Sequence, residues 1–322
     1  MKKSLIALAV MAASGAAMAQ SSVTLYGIAD VWIGSEESGL NADSVTKMGS
    51  GGLNSSRWGL KGSEDLGGGL KAVFKFEQGF NIDNGTAKGS GFDRQSYVGL
   101  AGGFGEVTFG NTWTAMDDII GASNSGFDSA LSASNNVLVV NANYADNPGN
   151  TIKYTSPSFG GFSGGLSFSL DEDSTVSEDI VDFSLSYGAG PIAVNFAYQV
   201  QNATNDLKYT ALNGSYDFGV AKLLASYGQE KIGDAKATDY QIGVDVPLSP
   251  AMTLSAGYAY SEDNAARSAT ENERTGYSIA VGYSLSKRTT AYAGFRSNKE
   301  ETAAGNKVDE GSLIAVGIRH TF

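Results

Sequence analysis

The feature that most constrains this 322-residue chain is a two-residue alternation of apolar and polar side chains. Residues 239–246 read DYQIGVDV, residues 277–284 read YSIAVGYS, and the pattern continues to the terminal Phe322. Because successive side chains of a β-strand point to opposite faces, this period predicts strands with one apolar and one polar face. The 42 glycines and abundant aromatic residues also disfavour a helical fold.

The strands are spaced regularly along the whole chain. Seven tight turns alternate with eight longer polar connections, the first of them over residues 35–53, which predicts sixteen strands. An even number of strands, with short turns at one end and longer loops at the other, is typical of bacterial outer-membrane barrels. Alternation alone also suits a soluble β-sandwich. Apolar rows that end in aromatics and a chain without a domain break favour the membrane. We therefore predict an all-β fold, a 16-stranded antiparallel transmembrane β-barrel.

The N-terminal segment has the composition of an export signal. Lys2 and Lys3 precede the apolar residues 4–13, and residues 17–19 read AMA. This order is typical of a cleaved secretory signal peptide. We predict a signal peptide over residues 1–19 and a barrel over residues 20–322.

Composition excludes several functional classes. A formal net charge of −12 disfavours nucleic acid as a partner, because phosphate binding requires basic patches. The chain has no cysteine, and its single histidine, His320, is two residues from the end. Catalysis with a histidine base and histidine metal clusters are both disfavoured by that placement. We predict that the protein is not an enzyme and has no cofactor.

One long segment interrupts the strand pattern. Residues 111–150 read NTWTAMDDIIGASNSGFDSALSASNNVLVVNANYADNPGN, far longer than an ordinary connection. A loop of this length in a compact domain is functional or disordered. Our hypothesis is that it folds inward and narrows a pore. The apolar Met116, Ile119, Ile120 and residues 137–140 are the predicted anchors against the barrel wall.

Several stretches resemble Gram-negative general diffusion porins of the betaproteobacterial type. They are SSVTLYGIAD (residues 21–30), SSRWGLKGSEDLGGGLKAVFKFEQGF (55–80), DRQSYVGLAGGFGEVTFG (93–110), TIKYTSPSFGGFSGG (151–165) and GIRHTF (317–322). The resemblance implies a homotrimer in the cell outer membrane that conducts small hydrophilic solutes and ions by passive diffusion. It also implies that the third external loop is an inward-folded constriction loop.

The resemblance further implies basic residues on one side of the constriction, which match Arg57, Arg94 and Lys153. The loop supplies Asp117, Asp118 and Asp128 as candidate opposing acids. Acidic groups opposite a basic wall make ion selectivity depend on these charges and on pore width. We expect weak selectivity with a slight preference for anions. Asn111 stands where the family commonly has another arginine, which weakens that preference.

The alternative function is an exported β-rich adhesin or structural outer-membrane protein. Paired acidic residues in the predicted external loops are interpreted mainly as solvated charges at the rim. They could also hold surface divalent cations that bridge to lipopolysaccharide, since carboxylates are suitable hard-oxygen ligands.

Overall fold

The computed structural model describes residues 22–123, 129–172, 179–202 and 206–322. The predicted signal peptide, residues 1–19, lies outside them. The described residues form seventeen strands in one sheet: β1 (Ser22–Ser38), β2 (Val45–Ser50), β3 (Arg57–Gly67), β4 (Leu70–Gly79), β5 (Gln95–Gly102), β6 (Gly105–Asn111), β7 (Thr151–Thr155), β8 (Phe162–Ser169), β9 (Ile180–Ala189), β10 (Ile192–Gln201), β11 (Leu207–Asp217), β12 (Lys222–Ile232), β13 (Ala235–Ser249), β14 (Met252–Asp263), β15 (Glu273–Ser284), β16 (Thr289–Glu301) and β17 (Lys307–Thr321).

The sheet closes on itself as a barrel. The register of β1 with β17 runs from Ile28 opposite Thr321 to Ser38 opposite Gly311. On its other edge β1 pairs with β3 near its start and with β2 near its end. β2 and β3 are therefore two parts of one wall strand, interrupted at residues 51–56. The described residues thus form sixteen antiparallel wall strands, which confirms the predicted fold.

The first connection differs from the prediction. A polar loop was predicted over residues 35–53, but β1 continues to Ser38 and pairs with β2. The prediction was wrong here because the end of the hairpin is mostly polar, so the sequence has no clear apolar face that would indicate a strand. On its inward face, Glu36 forms an ion pair with Lys47 of β2. The connection itself covers only residues 39–44.

The two faces of the wall are inverted relative to a soluble protein. Ile242, Ile279 and Ile314 point outward and are at least half exposed, whereas inward residues such as Gln199 and Asp239 are fully or almost fully buried. A continuous exposed apolar belt around a polar interior is the pattern of a membrane barrel. This inversion separates the barrel from the soluble sandwich. In the described part of the chain, no helix is long and apolar enough to cross a membrane.

The connection between β6 and β7 lies inside the barrel. This inward loop, residues 112–150, contains α1 (Asp117–Ile120), a 3-10 turn (Gly121–Ser123) and α2 (Val139–Asn143). Its apolar side chains pack on the wall in three clusters. In the first cluster, loop residues Met116, Ile119 and Val140 contact wall residues Ala197, Tyr209 and Ala211. In the second, loop residues Ala133, Val137 and Leu138 contact Ala259 of the wall. In the third, Leu131 of the loop packs with wall residues Trp32, Ala280, Tyr292, Leu313 and Ala315.

A glycine in β15 makes room for the loop. A β-carbon on Gly276 would lie 2.5 Å from the carbonyl oxygen of Ala133 and 2.7 Å from a methyl carbon of Val137. We predict that Gly276→Ala displaces the loop and raises single-channel conductance in planar bilayers, since overpacking costs roughly 1–3 kcal/mol. Gly282→Ala on the same strand is the matched control, because its β-carbon meets only a methyl carbon at 3.6 Å. Equal conductance for the two variants would contradict the prediction.

Candidate functional site

Two buried carboxylates of the wall hold the beginnings of the loop helices. Asp182 on β9 accepts a hydrogen bond from the backbone N–H of Met116 at 2.8 Å, immediately before α1. Asp239 on β13 accepts from Val139 at 3.1 Å and Val140 at 2.7 Å, the first residues of α2. The first N–H groups of a helix have no partner within it, so these aspartates satisfy donors that would otherwise be buried without one. The wall therefore positions both helices.

Neutral side chains of the wall hold the end of α1 and a residue just after α2. The amide of Asn213 donates to the carbonyl of Ile119 at 2.6 Å. Gln199 makes two bonds with the backbone of Ala145, accepting at 2.8 Å and donating at 2.9 Å. These bonds use buried side chains that point into the lumen. The polar inner face of the barrel therefore fixes the position of the loop backbone.

The interruption between β2 and β3 receives the middle of the loop. Backbone N–H groups of Ala130 and Leu131 donate to the carbonyls of Gly51 and Gly52 at 3.1 and 3.2 Å. A continuous strand would pair these carbonyls within the wall. The interruption thus turns backbone acceptors toward the lumen, where the loop uses them.

Asp30 fixes the shape of that interruption. Its carboxylate is fully buried and accepts from the backbone N–H groups of Gly52, Leu53 and Asn54 at 2.8–3.1 Å. The hydroxyl of Tyr292 donates to the same carboxylate at 2.5 Å. Several bonds to one carboxylate hold a charge that would be costly to bury alone.

Three cations surround one carboxylate on the lumenal wall. Arg94 Nε lies 2.7 Å from Glu77, Lys75 Nζ 3.5 Å and Arg57 Nε 3.9 Å, and the Tyr26 hydroxyl donates to Glu77 at 2.7 Å. We call these four charged residues the basic cluster. One acid cannot neutralise three cations, so the cluster keeps a formal charge of +2 and projects a positive potential into the lumen.

Aromatic rings support this concentration of positive charge. Lys61 lies directly opposite Lys75 in the register of β3 and β4, an arrangement of like charges that destabilises a sheet. Both ammonium groups lie near the ring of Tyr26, at 5.2 and 5.6 Å from its centroid. The guanidinium of Arg94 lies 4.9 Å from the ring centroid of Trp113, at the start of the inward loop. Cation–π contacts of this kind offset part of the repulsion.

The remaining site residues have different surroundings. Lys153 is buried and bonds Asp118 at 2.6 Å, which joins β7 directly to α1. Asp117 accepts from the hydroxyl of Tyr144 at 2.6 Å. Asp128 lies outside the described residues. The structure therefore groups Arg57 and Arg94 around Glu77 and pairs Lys153 with the loop.

Glu77, Lys75 and Tyr26 were not among the predicted site residues. The signal was present in β4, where Lys75 and Glu77 alternate with Phe74 and Phe76 and so share the polar face. Asn111 donates weakly to the carbonyls of Phe92 and Asp93, both at 3.4 Å. The amide of Asn111 thus links the start of the loop to residues 92–93 and adds no positive charge there.

A vestibule with two arginines, both paired with acids, lies beside the inward loop. The Arg267 guanidinium bonds Glu230 and Asp263, and Arg274 bonds Asp263 and Glu300. A cavity of about 650 Å³ is lined by these two arginines and by Ser132, Asn135, Asn143 and Tyr144, among others. Because its guanidinium groups are paired, the vestibule adds little net positive potential, in contrast to the basic cluster.

The described residues contain no group of three or more histidine, aspartate or glutamate side chains arranged to hold a metal ion. Surface divalent cations therefore remain a prediction without a defined site.

Comparison with known proteins identifies the family. A model of the Gram-negative porins matches residues 5–303. Outer membrane porin protein 32 of Delftia acidovorans is 35% identical over the full length of both chains, and an outer membrane porin of Bordetella pertussis is 30% identical over the same extent. A solved anion-selective porin from Comamonas acidovorans superposes with a TM-score of 0.81 at 29% identity, covering 94% of this chain and all of the other.

The closed barrel with an inward loop defines the class, a β-barrel channel. The chain belongs to the Gram-negative porin family, in agreement with the betaproteobacterial resemblance. It is an outer-membrane porin and not an enzyme.

Burial makes Asp117 sensitive to pH. Burial raises the pKa of the Asp117 carboxyl to about 7, and the negative charges of Asp146 and Asp118 also raise it. Protonation as pH falls from about 8 to about 6 removes one negative charge from the lumen, so we predict that anion preference increases. The measurement is the reversal potential across a salt gradient at each pH. Asp117→Asn should abolish the pH step and Asp83→Asn, an exposed control, should keep it. A step retained in Asp117→Asn would contradict this assignment.

Proposed function

We propose that this porin conducts small hydrophilic solutes and ions passively and favours anions weakly. The observation that carries the proposal is the basic cluster, in which Arg57, Lys75 and Arg94 surround the acid Glu77. A fixed positive potential lowers the energy of an anion in a narrow water-filled pore and raises that of a cation. The printed description of the Comamonas acidovorans structure, anion-selective, supports the same direction.

Two structural features limit the strength of this preference. The Lys153 charge is paired with Asp118, and an amide, Asn111, stands at the root of the loop. Salt also screens charges that line a hydrated lumen, with a Debye length of about 8 Å at physiological ionic strength. Under this proposal, size is selected by the inward loop and charge is selected by the basic cluster.

Substitutions on the two sides of the cluster test its role. We predict that Arg57→Gln and Arg94→Gln each lower the anion-to-cation permeability ratio, by roughly two- to fivefold. Glu77→Gln should raise the ratio, because it removes the acid and keeps the cations. Reversal potentials in planar bilayers measure all three variants, and Arg288→Gln at an exposed turn is the control. Unchanged ratios in both arginine variants would refute the role of the cluster.

We also propose that the protein assembles as a homotrimer in outer-membrane lipid, as the resemblance implies. Purified protein should then insert as units that conduct in three equal steps, and a chemical cross-linker should give a species of three chains. Single conductance steps from a monomeric species would contradict the trimer. Correctly inserted protein without conductance would favour the adhesin or structural alternative.

Contact with lipopolysaccharide through divalent cations is a further proposal. It is supported by a pair of outward glutamates at one end of the barrel, where Glu262 lies directly opposite Glu273. Like charges in directly opposite positions destabilise a sheet, and a bridging cation would relieve that repulsion.

A further inference from the structure

A polar seam lies between the inward loop and the wall formed by β13–β16. Ala133, Val137 and Leu138 of the loop pack against Ala259, and the loop backbone approaches Gly276 closely. We define the seam by five polar wall residues: Gln241, Ser261, Ser278, Arg296 and Asn298. It is separate from the basic cluster, which lies on β3, on β4 and at Arg94, immediately before β5.

The seam contains an unusual number of buried polar atoms without a hydrogen-bond partner in the described protein. They are both amide atoms of Gln241, Oγ of Ser278, Nε of Arg296 and Oδ1 of Asn298. In native proteins most buried polar groups have a partner, and each exception needs an explanation. The register brings several together, since Ser278 lies opposite Arg296 and Asn298 follows two residues later on the same inward face.

Arg296 is the exception with the largest electrostatic cost. It is 4% exposed, and among the described residues no carboxylate forms an ion pair with it. The acid that interacts with it electrostatically, Glu36, already bonds Lys47. Two other lumenal arginines have acids, Glu77 for Arg94 and Asp263 for Arg274. Arg319 also forms no ion pair among the described residues, but it is less buried than Arg296 and donates to Asn54. Because a guanidinium stays charged in proteins, burial without an anion is costly.

We propose that a small monovalent inorganic anion, of which chloride is the simplest, binds at Arg296 within the seam. The guanidinium supplies the charge, and the Ser278 hydroxyl is a second donor. The Asn298 amide supplies a third donor when it is turned to present its nitrogen. The ion must be small, because the loop packs closely on the wall nearby. A β-carbon placed on Gly294, two residues before Arg296, would lie 3.0 Å from a methyl carbon of Leu131.

The bound anion would couple the position of the loop to salt composition. It neutralises a cation on the wall directly behind the loop, so its loss leaves a charge in the contact between loop and wall. Anion preference in conduction depends on the basic cluster and does not depend on this site. Failure of one proposal therefore leaves the other intact.

Bromide provides a direct structural test. Crystals of the wild-type protein soaked in bromide should show an anomalous scattering peak beside the Arg296 guanidinium, and crystals of Arg296→Gln should show none there. Density that fits only water at this position in the wild type would overturn the proposal.

Thermal unfolding in detergent gives an independent readout. An anion that binds only the folded state raises the unfolding midpoint by mass action. We predict that chloride raises the midpoint relative to gluconate at equal ionic strength, that Arg296→Gln removes this difference, and that Arg319→Gln keeps it. Arg319 is the matched control because it donates to Asn54 at 2.6 Å.

A second variant covers the case in which Arg296→Gln fails to fold. Asn298→Asp places a carboxylate beside the guanidinium and should remove the chloride effect while preserving the barrel. Persistence of the full chloride effect in a folded variant of either kind would overturn the proposal.

Discussion

The structure depends on pairing every backbone N–H and C=O group that faces hydrocarbon. A strand edge in the membrane would leave a row of these groups without water or protein partners, at a cost of several kcal/mol each. The ladder between β1 and β17 removes that edge, and the remaining strands follow as antiparallel neighbours. Closure also decides where polar side chains can go. With lipid outside, a charged side chain of the wall at membrane depth must face the lumen, whereas outward charges such as Glu262 and Glu273 lie at the end of the barrel.

An interior made of polar side chains cannot hold a loop by hydrophobic contact alone. Here the loop is held by both kinds of interaction: apolar clusters at Met116 and Val137, and hydrogen bonds from wall residues such as Asp182 and Asp239 to its backbone. The carboxylates accept hydrogen bonds at the starts of the helices, where the first backbone N–H groups have no partner within the helix whatever the sequence. The position of the loop is thus specified by the wall as much as by the loop itself.

Alternation in the sequence was sufficient to predict the strands, because a lipid face and a lumenal face impose a strict period of two. The same signal failed at residues 35–53, where the strand ends have no apolar face, and it did not reveal the interruption at residues 51–56. Resemblance indicated Arg57 and Arg94. It could not indicate Glu77 as their shared acid, since that contact depends on the register of β3 with β4. Pairing of Lys153 with Asp118 likewise depends on where the loop lies.

Charged residues of the lumen have two different roles. Paired charges fix the geometry of the wall and loop, and surplus positive charge acts on ions in the pore. Arg267 and Arg274 share three acids, and their network includes Glu230, which also receives a hydrogen bond from Asn143 of the loop. A network in which every cation has an acid fixes geometry and adds no net positive potential to the lumen. In the basic cluster the acid is outnumbered, so its excess charge is available to act on ions in the lumen. Arg296 belongs to neither group, because it is as deeply buried as a structural residue and forms no ion pair with an acid in the described part of the chain. That combination is why its charge requires an anion from outside the chain.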